Sequence, residues 1–125
     1  MKLTNHVVLA EKAKANWVVA ECWNAEADYD SAAGRFYYSV LQAVLSYAVK
    51  QHAQELVMWE NPKNTQTIHN LMARVANRVD RRISRTMLEL YDVRRSADYR
   101  SHFVEKEEIE SLKGDAERLK NLAAA

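Results

Sequence analysis

Apolar residues recur at intervals of three and four along most of the chain, the spacing that places side chains on one face of an α-helix. One such segment runs from about Thr4 to Ala25 and a second from Ser31 to about His52. A third starts at Thr67 and extends past Arg94, with a turn expected near Asn77 to Arg81, although one uninterrupted helix is also consistent with the pattern. The pattern lapses after Tyr99, and a last segment covers residues 105–122. The segments are too long for strands and predict four to five helices.

Residues suited to capping separate these segments. Asn5 or Thr4 can cap the first helix, and Asp30 or Ser31 can cap the second. The only proline lies in a predicted loop at residues 59–66. The second helix is apolar over more than half its circumference, so we expect it to be central. The apolar residues predicted for the first helix are Val7, Val8, Ala10, Trp17, Val18, Ala20 and Trp23.

Composition supports an all-α fold in a single domain, 1–125. The chain has 125 residues, 48% of them hydrophobic, with 2 Gly and 1 Pro, too few for many hairpins or a glycine-rich phosphate loop. We expect a bundle of these helices, without NTPase, kinase or hydrolase motifs. No apolar run approaches the roughly 18 residues of a membrane span. One unpaired cysteine favours the reducing cytoplasm.

Arginine is concentrated in one part of the chain. Residues 74–100 hold eight of the ten arginines and four acidic residues, although the whole chain has a net charge of only +1. Within this part, five arginines fall at helical steps of three and four: Arg74, Arg78, Arg81, Arg82 and Arg85. Such a stripe suits phosphate groups, so it is a candidate nucleic-acid surface. The alternative is a solvated face, or pairing with acidic residues of the first and last helices.

Metal and nucleophile chemistry have little support in the sequence. The four histidines lie on different segments, so we expect no metal site and no cofactor. Cys22 lies near the C-terminal end of the first helix, where the helix dipole disfavours a thiolate. We expect it to be a buried apolar thiol.

Three strings of the sequence stand out: GRFYYSVLQAV at 34–44, TIHNLM around His69, and YDVRRSADY at 91–99. In order and spacing they resemble the small HEPN proteins of prokaryotes. The closing segment VEKEEIESLKGDAERL is also similar, so the resemblance spans roughly residues 20–120. The residues that carry it are Arg35, Tyr37, Tyr38, His69, Arg94, Asp98 and Tyr99.

This resemblance implies an up-and-down, HEPN-like bundle of four or five helices and a homodimer. It often implies a nucleotidyltransferase partner in a toxin–antitoxin or defence-like context. Some relatives are metal-independent endoribonucleases that use an Arg, four to six intervening residues and a His. In this chain the family's spacing places Arg94 at the Arg position, but the residue after four intervening positions is Tyr99 and not a His. Arg95 and His102, with six intervening residues, are a looser match to the same motif. In such a pair the His is the base toward a ribose 2′-hydroxyl, and the Arg stabilises the phosphoryl transition state.

The leading hypothesis is a non-catalytic or weakly active HEPN-type binding protein. It would dimerise through the second helix and the 94–99 region, and it would present its arginines to RNA or to a nucleotidyltransferase. The alternatives are an endoribonuclease using Arg95 and His102, and a structural helical adaptor. The sequence leaves two local contacts undecided under each of these hypotheses. Arg94 can form an ion pair with Asp98 along the helix. The tyrosines can stack on nucleic-acid bases, or they can pack in the protein with their hydroxyls at the edge of the core.

Overall fold

The secondary structure in the described part of the chain consists of helices, without strands. A computed structural model describes residues 5–56, 81–99 and 103–122, and contains four helices in these ranges. They are α1 (His6–Ala25), α2 (Tyr29–Leu56), α3 (Arg81–Tyr99) and α4 (Lys106–Asn121). The predicted all-α bundle is confirmed. The predicted loop at 59–66, the helix starting at Thr67 and most of the predicted turn at 77–81 lie outside the described residues.

The turn between α1 and α2 is short, as predicted, but its cap differs from the prediction. Asn5 caps α1, since its Oδ1 accepts a hydrogen bond from the Val8 backbone N–H at 3.1 Å. For α2 the sequence predicts Asp30 or Ser31, and this is wrong. Asp28 accepts from the Ser31 backbone N–H at 3.1 Å and from its hydroxyl at 2.9 Å. The helix therefore begins earlier, at Tyr29, which leaves the Asp30 carboxylate available for a contact elsewhere.

Helix α2 forms the centre of the bundle, as its broad apolar surface predicts. It packs against α1, α3 and α4. Its buried side chains come from several sides of the helix and include Phe36, Tyr37, Val40, Leu41, Val44 and Leu45. The Phe36 ring meets Trp17 of α1 edge to face, with ring centroids 4.9 Å apart. Because α2 is covered by three other helices, most of its apolar surface is buried within the chain.

The buried face of α1 is narrower than the sequence predicts. Ala13, Trp17 and Ala20 are buried against α2, at positions i, i+4 and i+7. The small alanines allow close approach of the two helices, and the buried Ser39 hydroxyl donates to the Ala13 carbonyl across the interface at 2.7 Å. Four residues predicted to be apolar contacts are instead exposed: Val7, Val8, Val18 and Trp23. These four residues lie on the surface of α1 that does not pack on α2. Because both surfaces of this helix carry apolar residues, spacing alone does not show which one is buried.

Helix α4 closes the bundle with one apolar face, as predicted. Its buried residues are Ile109, Leu112, Ala116 and Leu119. The backbone N–H of Glu105 donates to the Glu108 carboxylate at 3.3 Å, which supports the first turn of α4. None of the described helices is long and apolar enough to cross a membrane.

Candidate functional site

An arginine lies among three tyrosine rings where α2 meets α3. The guanidinium carbon of Arg94 is 5.4 Å from the ring centroid of Tyr37 and 5.6 Å from those of Tyr38 and Tyr91. Arg94 Nη1 also approaches the Tyr38 hydroxyl at 3.4 Å. We call these four residues the tyrosine–arginine cluster. Each ring lies within the distance at which a cation is attracted by an aromatic face.

The spacing of these residues along two helices explains how the cluster forms. Tyr37 and Tyr38 are neighbours on α2, so their side chains leave the helix about 100° apart. Tyr37 is therefore buried in the core, whereas Tyr38 lies at the edge with about a third of its surface exposed, 36%. Tyr91 and Arg94 are three residues apart on α3 and share one face. The cluster thus has a buried base and an open rim.

Burial controls the ionisation of the tyrosine at the base. Loss of solvent raises the pKa of the Tyr37 hydroxyl well above its ordinary value, and the nearby Tyr91 and Tyr38 act in the same direction. The positive charge of Arg94 opposes this shift but does not reverse it. Tyr37 is therefore neutral at physiological pH. Its ring is a neutral aromatic face 5.4 Å from the Arg94 guanidinium carbon.

A second arginine extends the cluster onto the surface. Arg95 is exposed, and its guanidinium carbon lies 5.8 Å from the Tyr91 ring centroid. Tyr91 is thus flanked by two guanidinium groups, one half-buried and one exposed. Planar cations placed on aromatic faces form a surface suited to phosphates and to nucleic-acid bases.

The rest of the described outer face of α3 carries both signs of charge. Arg85 is exposed there, as the predicted arginine stripe requires, but Glu89 and Asp92 are exposed on the same side. This part of α3 is therefore not a continuous positive surface, and a polyanion would be attracted only to single arginines. The other stripe members are not placed, since Arg74 and Arg78 lie outside the described residues and the side chains of Arg81 and Arg82 are not described.

Among the residues that carry the HEPN resemblance, the structure brings together Tyr37, Tyr38 and Arg94. Arg35 lies apart from them, and its Nη1 donates to Asn16 Oδ1 of α1 at 3.0 Å. The side-chain amide of Asn16 also donates to the Gln42 side-chain oxygen at 2.6 Å. Arg35 therefore helps to join α1 to α2.

Several predicted contacts fall outside the described residues. His69 and His102 lie outside them, and the side chains of Asp98 and Tyr99 are not described although their backbone belongs to α3. The Arg95/His102 pair and the Arg94–Asp98 ion pair stay predictions.

Tyr91 is the member of the cluster that the family resemblance did not single out. The available signal was its spacing of three residues from Arg94, which places both on one helical face.

The lone cysteine differs from the prediction. Cys22 is exposed and not buried, because the face of α1 on which it lies is turned away from α2. Among the described residues, no group of three or more histidine, cysteine or carboxylate side chains is arranged to hold a metal ion.

Comparison with protein-family models, curated proteins and solved structures gives no match. The HEPN resemblance and the nucleotidyltransferase partner therefore stay predictions from the sequence, and the functional argument depends on the geometry of the tyrosine–arginine cluster.

Proposed function

We propose that this chain is a non-catalytic or weakly active HEPN-type binding protein that takes single-stranded RNA at the rim of the tyrosine–arginine cluster. The observation that carries the proposal is the placement of two guanidinium groups on tyrosine faces at the α2–α3 boundary, with Tyr38 and Arg95 open to solvent. The residues that meet the RNA would be Tyr38, Arg94 and Arg95.

The chemistry of these groups matches the two parts of a nucleotide. An exposed tyrosine face can stack on a base of any identity, because every base has a π-face. A guanidinium can donate two parallel hydrogen bonds to phosphate oxygens. Arg94 is held on three rings, so less conformational freedom is lost when its exposed edge binds a ligand. Arg95 is less confined and would reach the neighbouring phosphate.

The mixed charge of the described α3 surface sets the expected strength of binding. Glu89 and Asp92 oppose a long phosphate track, so we expect contact with a few nucleotides and a small salt dependence. Single-stranded RNA fits this surface better than a duplex, whose bases are not available for stacking.

Fluorescence anisotropy of a short labelled single-stranded RNA, measured in EDTA, tests the proposal. We expect Tyr38→Ala to weaken binding about fivefold or more, the lower end of the effect of losing one base stack. Arg95→Ala should weaken binding and reduce the slope of log K against log salt by about 0.7, corresponding to one lost phosphate contact on a single strand. Arg118→Ala is the matched control, since Arg118 is an exposed arginine on α4 beside Asp115.

Equal affinity of all four proteins would contradict the proposal. Absence of RNA binding by the wild type would also contradict it and would favour the structural-adaptor alternative. Gel analysis of these samples, with a His102→Ala variant added, tests the endoribonuclease alternative. RNA cleavage in EDTA that is lost in both Arg95→Ala and His102→Ala would replace the binding proposal with a catalytic one.

A further inference from the structure

Gly34 lies on the same side of α2 as the two tyrosines that this helix contributes to the cluster. It precedes Tyr37 by three residues and Tyr38 by four. Residues at these spacings are neighbours on one helical face. Side chains on an α-helix also lean toward its N-terminal end, so Tyr38 is directed toward the turn that contains Gly34. Gly34 is half-buried, and its backbone therefore forms part of the surface beside the open rim.

The fold of the described residues does not require a glycine at this position. The φ angle of Gly34 is not in the left-handed region that favours glycine. A Cβ built on Gly34 would meet no atom of the described residues within 4 Å outside its own stretch of helix backbone, and this includes the Tyr38 ring and the Arg94 guanidinium. Glycine inside a helix is also less favourable than alanine. The missing side chain leaves open space beside Tyr38.

We propose that Gly34 lines a slot in which one RNA base lies between the backbone of α2 and the Tyr38 ring. This inference rests on the proposed function, because it concerns the same rim, and it adds the residue that sets how closely a base approaches α2. A position without a Cβ allows a ligand to come close to the backbone. The Arg94 guanidinium carbon, 5.6 Å from the Tyr38 ring centroid, is near enough to bind the phosphate of the same nucleotide.

The slot makes binding depend on the size of the side chain at position 34. Alanine would occupy part of the space with one methyl group, and leucine would occupy most of it. Both residues favour a helix more than glycine does. A loss of RNA binding in these variants therefore would not come from a loss of helix, and the midpoint of urea unfolding should stay the same or rise.

Anisotropy titrations of a short labelled single-stranded RNA with Gly34→Ala and Gly34→Leu test the slot. We expect Gly34→Leu to raise the Kd about fivefold or more, the lower end of the effect of losing one base stack. Gly34→Ala should raise the Kd by a smaller factor. Gly114→Ala and Gly114→Leu are the matched controls, since Gly114 is a helical glycine on α4 that also has open space at its Cβ position. They should leave the Kd unchanged.

A double variant tests whether Gly34 and Tyr38 contact the same base. If they do, Gly34→Leu has little left to remove once Tyr38→Ala has abolished the stack. The Gly34→Leu/Tyr38→Ala protein should then have a Kd within about twofold of that of Tyr38→Ala alone. Fully additive losses would overturn the shared slot, because the two residues would then act on different parts of the RNA.

The outcomes separate this inference from the proposed function. A Gly34→Leu protein with the wild-type Kd would overturn the slot and leave RNA binding at the rim in place. Absence of RNA binding by the wild type would overturn both. Equal losses in Gly34→Leu and Gly114→Leu would also overturn the slot, because the effect would not depend on the position beside Tyr38.

Discussion

Asp30 and Val104 are joined by a hydrogen bond across 74 positions of sequence. The backbone N–H of Val104 donates to Asp30 Oδ1 at 2.7 Å, which fixes the first turn of α2 against the segment that leads into α4. Val104 is buried. Loss of the carboxylate would leave its N–H in the interior without this acceptor.

We expect Asp30→Ala to reduce the free energy of unfolding by about 1.5–3 kcal/mol, the range for a hydrogen bond to a charged group. Asp30→Asn keeps an oxygen at the same position and should recover part of the loss. Urea unfolding followed by circular dichroism measures both. Identical midpoints for Asp30→Ala and the wild type would show that this contact contributes nothing to stability.

The Ser39 hydroxyl provides a test of the interface between α1 and α2. It donates to the Ala13 carbonyl in the buried core, whereas Ser46 makes a similar bond to the His6 carbonyl at the first residue of α1. We expect Ser39→Ala to cost about 1 kcal/mol, and Ser46→Ala to cost less because a helix end frays. Urea unfolding of the two variants gives the comparison, and a larger loss for Ser46→Ala would contradict the account.

The chain has two phenylalanines, one buried and one exposed, so the effect of a Phe→Ala substitution can be compared in the two environments. Phe36 is buried against Trp17, whereas Phe103 is 81% exposed. We expect Phe36→Ala to destabilise the protein by about 3–5 kcal/mol through lost burial and a residual cavity. Phe103→Ala should change stability by about 0.5 kcal/mol or less. Thermal or urea unfolding measures both, and similar losses would mean that the placement of these two rings is wrong.

Tyr37 predicts a loss of stability at high pH. Its pKa in the folded protein is raised above the ordinary value of 10.0, so folding favours the neutral hydroxyl. The resulting stabilisation is fully present below pH 10 and declines above it, because the unfolded chain ionises more readily than the folded one. Tyr37→Phe cannot ionise and should lose less stability than the wild type between pH 9 and about 11. Equal losses in urea-unfolding series of the two proteins would contradict the raised pKa.

The helices were predictable because their apolar residues recur every three or four positions. Capping residues and polar loops separate one such segment from the next. Prediction failed on which side of α1 is buried. This helix is apolar on two faces, so periodicity alone did not distinguish Trp17, which packs on α2, from Val18, which is exposed. The cap of α2 was misplaced for a related reason: Asp28 and Asp30 are equally suited to capping, and only the fold shows that Asp30 bonds to Val104.

The candidate site was predictable in part. The resemblance singled out Tyr37, Tyr38 and Arg94, which the structure brings together. The cation–ring geometry depends on how α2 packs on α3, and no local spacing contains that information. The Arg35 contact could not be predicted from the sequence, because its partner Asn16 comes from another helix and is 19 residues away.

The most direct test of the central claim is photo-cross-linking of the wild-type protein to single-stranded RNA containing 4-thiouridine, followed by peptide mass spectrometry. The account predicts cross-links at Tyr38 and in the segment from Tyr91 to Arg95, reduced in Tyr38→Ala and unchanged in Arg118→Ala. Cross-links confined to α1 or α4, or no cross-link at all, would contradict the assignment of RNA binding to the tyrosine–arginine cluster.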